Sequence, residues 1–340
     1  MQIFTHPEPV GRTPRLHPVF LPFAGCPQRC VYCSQHVQTG QAAQPLQTAL
    51  DALDAALSRA LGTADAPQRE VAFYGGTFTA LPAPWPQRFL AVAQRYKEAG
   101  LVSRVRCSTR PDAVDAAGLA ALKAQGLDMV ELGVQSFSDT VLDAAQRGYD
   151  AATAVQGCEV VRKAGLGLGI QLLPGLPGMR LRDFRNDIAA TCAIRPEAVR
   201  LYPCVVMEGT PLATLWRHGA YTPWPLAKTQ CALAQGTLEL WRADCRVIRM
   251  GLAPEPSLLR HLLAGPWHPA LGSMVRGLAL ALHIRGQLAG RSGPVRELFL
   301  PQRHAGEFWG HKKSLAPFYA RLGLSTANAH PWARHFFWVR

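Results

Sequence analysis

Three cysteines near the start of the chain carry its plainest chemistry. The run Gly25-Cys26-Pro27-Gln28-Arg29-Cys30-Val31-Tyr32-Cys33 spaces them as C-x3-C-x2-C directly after an apolar segment, so Cys26, Cys30 and Cys33 stand on one loop. Thiolates are soft donors suited to iron–sulfur clusters, and their anionic character and burial give such clusters a low potential. Three protein ligands on a four-iron cube, a [4Fe-4S] cluster, leave one iron open to an outside chelator. Zinc is the competing reading: it needs a fourth donor, and His36, three residues beyond Cys33, would complete a Cys3His set. Six further cysteines (Cys107, Cys158, Cys192, Cys204, Cys231 and Cys245) stand alone in apolar or helical contexts and read as buried small side chains.

Four more segments place polar or glycine residues where an apolar run ends. They are Tyr74-Gly75-Gly76-Thr77, Ser108-Thr109-Arg110-Pro111-Asp112, Glu131-Leu132-Gly133-Val134-Gln135-Ser136-Phe137 with Arg147-Gly148-Tyr149 after it, and Gln171-Leu172-Leu173-Pro174-Gly175-Leu176-Pro177-Gly178. The glycine pair lets backbone approach a ligand without a side-chain clash. The elements that must position these segments are legible too. Residues 18–23, 71–74, 102–107, 129–134, 168–173 and 198–203 read as strands, and residues 46–61, 85–99, 113–125, 152–164 and 181–194 repeat apolar residues at helical spacing. Such alternation predicts an α/β fold with a parallel sheet, here a partial (βα)6 TIM-type barrel over residues 1–240, with functional residues at the carboxyl ends of the strands. After about Cys245 the alternation stops. Residues 246–250 are strand-like, 251–272 are rich in glycine and proline, and 273–288 are helical, so residues 241–340 read as a C-terminal extension.

Over about residues 18–224 these motifs resemble the radical S-adenosylmethionine superfamily. The resemblance implies a [4Fe-4S] cluster on Cys26, Cys30 and Cys33 whose open iron takes the amino and carboxylate groups of S-adenosylmethionine. It also implies reductive cleavage to a 5′-deoxyadenosyl radical, with the electron coming from a small protein such as flavodoxin or ferredoxin. Gly75, Gly76 and Thr77 would receive the methionine amino group. Ser108 stands where many relatives have glutamate. Gln135 would bond the ribose and Arg147 would pair with the methionine carboxylate as a planar fork. Gln171, where relatives often carry Asp or His, would contact the ribose as well.

The segments Val199-Arg200-Leu201-Tyr202-Pro203, Glu208-Gly209-Thr210-Pro211-Leu212, Leu215-Trp216 and Gly219-Ala220-Tyr221 are similar to the catalytic subunit of the Elongator tRNA-modifying complex. This implies tRNA as substrate, with the radical directed at a wobble-uridine pathway. That subunit spaces its cluster cysteines more widely and carries an acetyl-coenzyme A domain, for which this sequence shows no recognisable loop, so carboxymethylation is not expected. The motifs Arg249-Met250-Gly251-Leu252, Gly265-Pro266-Trp267-His268-Pro269 and Gly310-His311-Lys312-Lys313 are similar to Elongator-like radical proteins of bacteria. Two other readings stay open. The Gly133-Val134-Gln135-Ser136-Phe137 run is shared with oxygen-independent coproporphyrinogen III oxidase and its haem-handling cousins, although those prefer an aromatic shortly after the last cysteine, where Ser34-Gln35-His36 stands. The third is a non-catalytic metal-cluster regulator that binds nucleic acid.

Charge supports a polyanionic partner. The net charge is +13, and residues 241–340 hold fourteen Lys and Arg against four Asp and Glu; phosphate contacts draw on such residues, although a solvated basic surface is the plain alternative. Lys312, Lys313, Arg321, Trp332, Arg334 and Trp338 mix cations with aromatics as single-stranded nucleic-acid surfaces do, or as a basic tail folded on the barrel would. His268 reads as a packed turn histidine rather than a proton donor. With 340 residues, 48% of them hydrophobic, the chain can bury a sizeable core. Residues 1–20 hold four prolines, two arginines and no unbroken apolar run, and no stretch approaches eighteen apolar residues, so the expected location is cytoplasmic, with no membrane partner.

Overall fold

The computed structural model describes residues 2–11, 15–63, 67–289, 291 and 293–340. Its strands in chain order are β1 (Gln2–Phe4), β2 (Arg15–Phe20), β3 (Arg69–Tyr74), β4 (Val102–Thr109), β5 (Met129–Gln135), β6 (Gly167–Leu172), β7 (Ala198–Leu201), β8 (Val206–Met207), β9 (Arg246–Met250), β10 (Leu262–Ala264), β11 (Leu298–Pro301), β12 (Ala329–Trp332) and β13 (Phe337–Val339). Seven of them form one parallel sheet in the order β2-β3-β4-β5-β6-β7-β9. This is the expected partial barrel, curled rather than closed. Both faces of its strands are covered, which explains the near-continuous burial of Val71, Ala72, Phe73 and Tyr74 at the end of β3.

The helices Leu46–Leu61, Trp85–Glu98, Ala116–Ala124, Ala151–Lys163, Leu181–Ile194 and Leu226–Arg242 separate these strands. Their buried stripes (Leu50, Leu53 and Leu57 on one; Phe89, Leu90 and Ala93 on the next) join the main core with strand residues such as Phe73, Val105, Val130 and Ile170. Side-chain caps fix two helix starts: Asp115 accepts from Gly118 N and Asp150 from Thr153 N, each at 2.8 Å. The Asp115 cap also explains why the helix expected from residue 113 begins at Ala116, since Pro111–Ala113 is a separate 3-10 turn.

Two boundaries differ from the sequence reading. The first barrel strand ends at Phe20 rather than residue 23, because Ala24 N donates to Leu21 O and turns the chain there. The sheet also has a seventh strand, β9, which pairs parallel with β7 beyond the point where the alternation was expected to stop. The helix Leu226–Arg242 supplies its crossover, and no helix-period signal follows at once to advertise the unit.

Beyond the barrel, β1, β13, β11 and β12 form a small sheet in that order, so the first strand is its edge, paired antiparallel with β13 from the end of the chain. Its inner face packs on the helix Leu271–Leu288 through Phe4, Leu280, Ile284, Leu298 and Phe337. The rings of Phe4 and Phe337 stack at 5.1 Å. Among the described residues no helix is long and apolar enough to cross a membrane.

Candidate metal centre and its cradle

The cysteine loop leaves β2 and turns twice, with Cys26 N donating to Phe23 O and Cys33 N to Cys30 O, both at 3.1 Å. Its back rests on the turn that follows β3. Gly76 has a φ of 65°, and a Cβ there would stand 2.1 Å from Ala24 O, so only glycine lets the two loops meet. Thr77 N closes that contact on Ala24 O at 2.7 Å, while Thr77 Oγ1 lies 3.3 Å from Cys26 Sγ. Gln35 ties the assembly from the side: its Oε1 accepts from Phe23 N at 2.6 Å and from Gly76 N at 3.1 Å.

The three thiols are close enough to perturb one another. Burial pushes Cys33 up to about 12, and the neighbouring Cys30 and Cys26 add to the rise. Cys26 is raised too, chiefly by burial, against the pull of its Thr77 bond. Burial thus favours the neutral thiol at Cys26 and Cys33, and the arrival of a cationic centre drives their deprotonation. His36 is exposed against the Phe23 ring, so the donor set suits a multi-iron cube better than a Cys3His ion.

Arg147 is buried against this trio. Its Nη1 donates to Cys30 Sγ at 2.9 Å and to Tyr32 OH at 3.3 Å, Nη2 donates to Gly133 O at 2.7 Å, and Nε donates to Tyr149 OH at 3.0 Å. The fork expected to face a carboxylate is therefore engaged with the cluster loop and the end of β5. Gln135 and Gln171, from neighbouring strands, meet through Gln171 Nε2 and Gln135 Oε1 at 3.2 Å. Ser108, in β4, is half-buried in register with Glu131. His268 is the turn residue expected of it, accepting from Ala270 N at 3.0 Å.

Two features were not singled out from the sequence. Gln135 has a φ of 69°, and the strained turn it opens is held by Asp187, whose carboxylate accepts from Phe137 N at 2.7 Å and from Ser136 Oγ at 2.9 Å. Burial pushes that carboxyl up to about 7 despite these bonds. Its signal was present: Asp187 shares the buried stripe of its helix with Phe184, Ile188 and Thr191.

The second feature is a charged layer across the barrel. Arg200 of β7 bonds Glu131 of β5 and Tyr74 of β3, and its Nη1 donates to Tyr202 OH at 2.9 Å. Arg106 of β4 stands 3.4 Å from both Glu131 and Glu70. Contacts between strands that are not neighbours can pass only through the concave side of the sheet. Gly169, in the strand between β5 and β7, makes room, since a Cβ there would lie 2.8 Å from Glu131 Cγ.

Comparison with known proteins agrees with this architecture. Residues 20–190 match the Radical SAM superfamily, and residues 196–278 match the Radical_SAM C-terminal domain. A tRNA uridine(34) acetyltransferase of Dehalococcoides mccartyi is 27% identical over 236 residues, covering 59% of this chain and 50% of that protein. The enzyme of the same name from Methanocaldococcus jannaschii is 27% identical over 175 residues, covering 46% of this chain and 32% of its own. Elongator complex protein 3 of Drosophila melanogaster is 28% identical over 177 residues, covering 44% and 31%. The chain thus spans a third to a half of the length of these relatives. Among solved structures, the archaeal Methanocaldococcus infernus Elp3 with an N-terminal deletion superposes with a TM-score of 0.60 at 20% identity, over 82% of this chain and 65% of that one, a likeness of fold.

Proposed function

The chain belongs to the radical SAM superfamily of enzymes, and on that premise we propose that it cleaves S-adenosylmethionine reductively at a [4Fe-4S] cluster held by Cys26, Cys30 and Cys33, for modification of a tRNA nucleoside. When bound, the cluster supplies the electron that splits the cosubstrate's sulfonium and yields a 5′-deoxyadenosyl radical. The observation that carries the reading is the grouping of three thiols on one loop, Cys30 buried and Cys26 and Cys33 half-buried, with the Arg147 guanidinium 2.9 Å from Cys30 Sγ.

The surrounding residues divide the remaining work. Gly75, Gly76 and Thr77 offer backbone to the methionine amino group, with no side chain in the way at the two glycines. Gln135 and Gln171, once bonded to each other, keep an amide donor and a carbonyl acceptor, a pair that matches the two hydroxyls of a ribose. Ser108 supplies a neutral hydroxyl. Arg147 balances thiolate charge; pairing with the cosubstrate carboxylate requires it to release Tyr32 and Tyr149. The basic residues 241–340 form the substrate-facing part in this reading. It is supported by the tRNA-modifying relatives and by the excess of cations, and it places the enzyme in the cytoplasm with flavodoxin or ferredoxin as electron donor.

The test is anaerobic reconstitution followed by dithionite and S-adenosylmethionine, with chromatography for 5′-deoxyadenosine. An intact cluster spectrum without that product would refute the cleavage. Comparing the nucleosides of bulk tRNA from cells with and without the gene tests the substrate: identical nucleoside profiles would exclude tRNA, and a porphyrin titration then examines the haem-handling alternative.

A further inference from the structure

The end of the barrel remote from the cysteine loop contains a cavity of about 1100 Å³. It is ringed by residues near the starts of the strands, among them Leu16, Glu70, Arg104, Met129 and Ala198, and closed from below by the Thr5–Gly11 stretch and by residues of the C-terminal part. Neither the cysteine loop nor Gly75, Gly76, Thr77, Gln135 or Arg147 lines it. The Glu131–Arg200–Arg106 layer separates the two ends of the barrel.

The lining is strongly cationic, with seven arginines against three glutamates. Each of those glutamates is already engaged: Glu197 with Arg104 at 2.5 Å, Glu70 with Arg106 at 3.4 Å, and Glu8 with Arg276. Arg249 and Arg303 have no carboxylate partner among the described contacts. Arg106 is built into the wall, its side chain only 9% exposed and its Nε making no hydrogen bond. Guanidinium groups brought together around a partly enclosed space repel one another unless an anion sits between them.

Glu307, just behind the wall, is itself engaged and, among the described contacts, offers its charge to Arg276 alone of the lining arginines, its Oε1 lying 3.5 Å from Arg276 Nε. His304 Nε2 accepts from Arg303 and His6 Nδ1 accepts from Glu8 N, which leaves a proton on the opposite nitrogen of each ring, 3.2 and 3.5 Å from Glu307 Oε2. The two rings stack at 4.2 Å with planes 12° apart, so their in-plane lone pairs run side by side and could not meet on one metal ion. His304 hydrogen-bonds the carboxylate instead, with the His6 ring stacked beside it.

We propose that this chamber binds a compact polyphosphate, free or as the tail of a nucleotide, through its arginine forks. Guanidinium pairs with phosphate bidentately, and several forks around one space select a multiply charged chain over a single carboxylate. This inference does not depend on the tRNA reading. Titration calorimetry of the anaerobically reconstituted protein with inorganic tripolyphosphate tests it. One site per chain is expected, weakening as salt is raised. Arg249→Ser and Arg303→Ser, both exposed at the mouth, are each expected to weaken binding about tenfold by removing a charge-assisted pair, with the cluster spectrum unchanged. Adenosine triphosphate should compete and adenosine should not.

Tripolyphosphate that does not bind, or that binds equally well to both variants, overturns the proposal. So does competition by adenosine alone. If tripolyphosphate gives no heat while both substitutions weaken tRNA binding, the mouth belongs to an RNA surface and the chamber is not a ligand site.

Discussion

Asp187→Asn separates the support of the Gln135 turn from the chemistry above it. Desolvation raises Asp187 from its ordinary 3.8 to about 7. Between those values the folded protein binds a proton that the unfolded chain has released, so this side chain's contribution to stability is fully present below about pH 4 and is lost as pH rises to about 7. At 1.36 kcal/mol per decade, the full cost of ionising this side chain in place is about 4 kcal/mol. Asparagine removes that cost and keeps the contacts in kind, since its carbonyl can accept from Phe137 N and its amide can donate to Ser136 Oγ. Wild type and variant are melted in parallel from pH 5.5 to pH 8. Over that window the wild type loses about 2 kcal/mol that the variant does not, so the variant's melting temperature gains roughly 4 °C on it, at roughly 2 °C per kcal/mol for a chain of this size. Melting curves that stay parallel over the whole range would refute the assignment of that pH dependence to Asp187.

Other outcomes follow from the same geometry. Gly76→Ala must place a methyl 2.1 Å from Ala24 O in a left-handed backbone, costing at least about 1–2 kcal/mol; iron content after reconstitution should collapse, and full occupancy would contradict the close approach. Arg147→Gln removes a cation and a charge-assisted bond from Cys30 Sγ. At about 1.5–3 kcal/mol for such a bond, the cluster potential should fall by roughly 60–130 mV in an electron paramagnetic resonance titration, and no change would show that the guanidinium does not act on the cluster. In protein stripped of iron, the Cys33 thiol, raised to about 12, stays protonated at pH 8. Iodoacetamide should then modify the exposed Cys231 well before Cys33, as judged by peptide mass spectrometry, and equal labelling would remove the buried-thiol argument.

The charged layer bears on how the two ends of the barrel communicate. Glu131, 3% exposed, holds two arginines and approaches the Tyr74 hydroxyl. Leaving any one of these groups without its partners would expose a buried charge, an expensive event compared with loss of a surface pair. The barrel therefore has a rigid polar septum in place of the apolar filling usual in parallel barrels. Small residues opposite it, Gly169 above all, are part of the same device.

Much was legible in the sequence because it is local. Three thiols within eight residues must share a loop, a glycine pair after an apolar run must be a turn, and alternating strand and helix periods must give a parallel sheet. Those facts determined the fold class, the grouping of the three thiols and the rim on which they lie. Tertiary structure alone decided which partners come from far along the chain. Arg147 reaches Cys30 across 117 residues, Arg200 reaches Tyr74 across 126, and β1 joins a sheet built from the other end. It also decided that β9 closes the sheet as a seventh strand and that the expected Arg147 fork points at sulfur. The reason is physical: periodicity reports which face of an element is buried, whereas the partner waiting at that face is fixed only when the strands curl and bring distant side chains onto one concave surface.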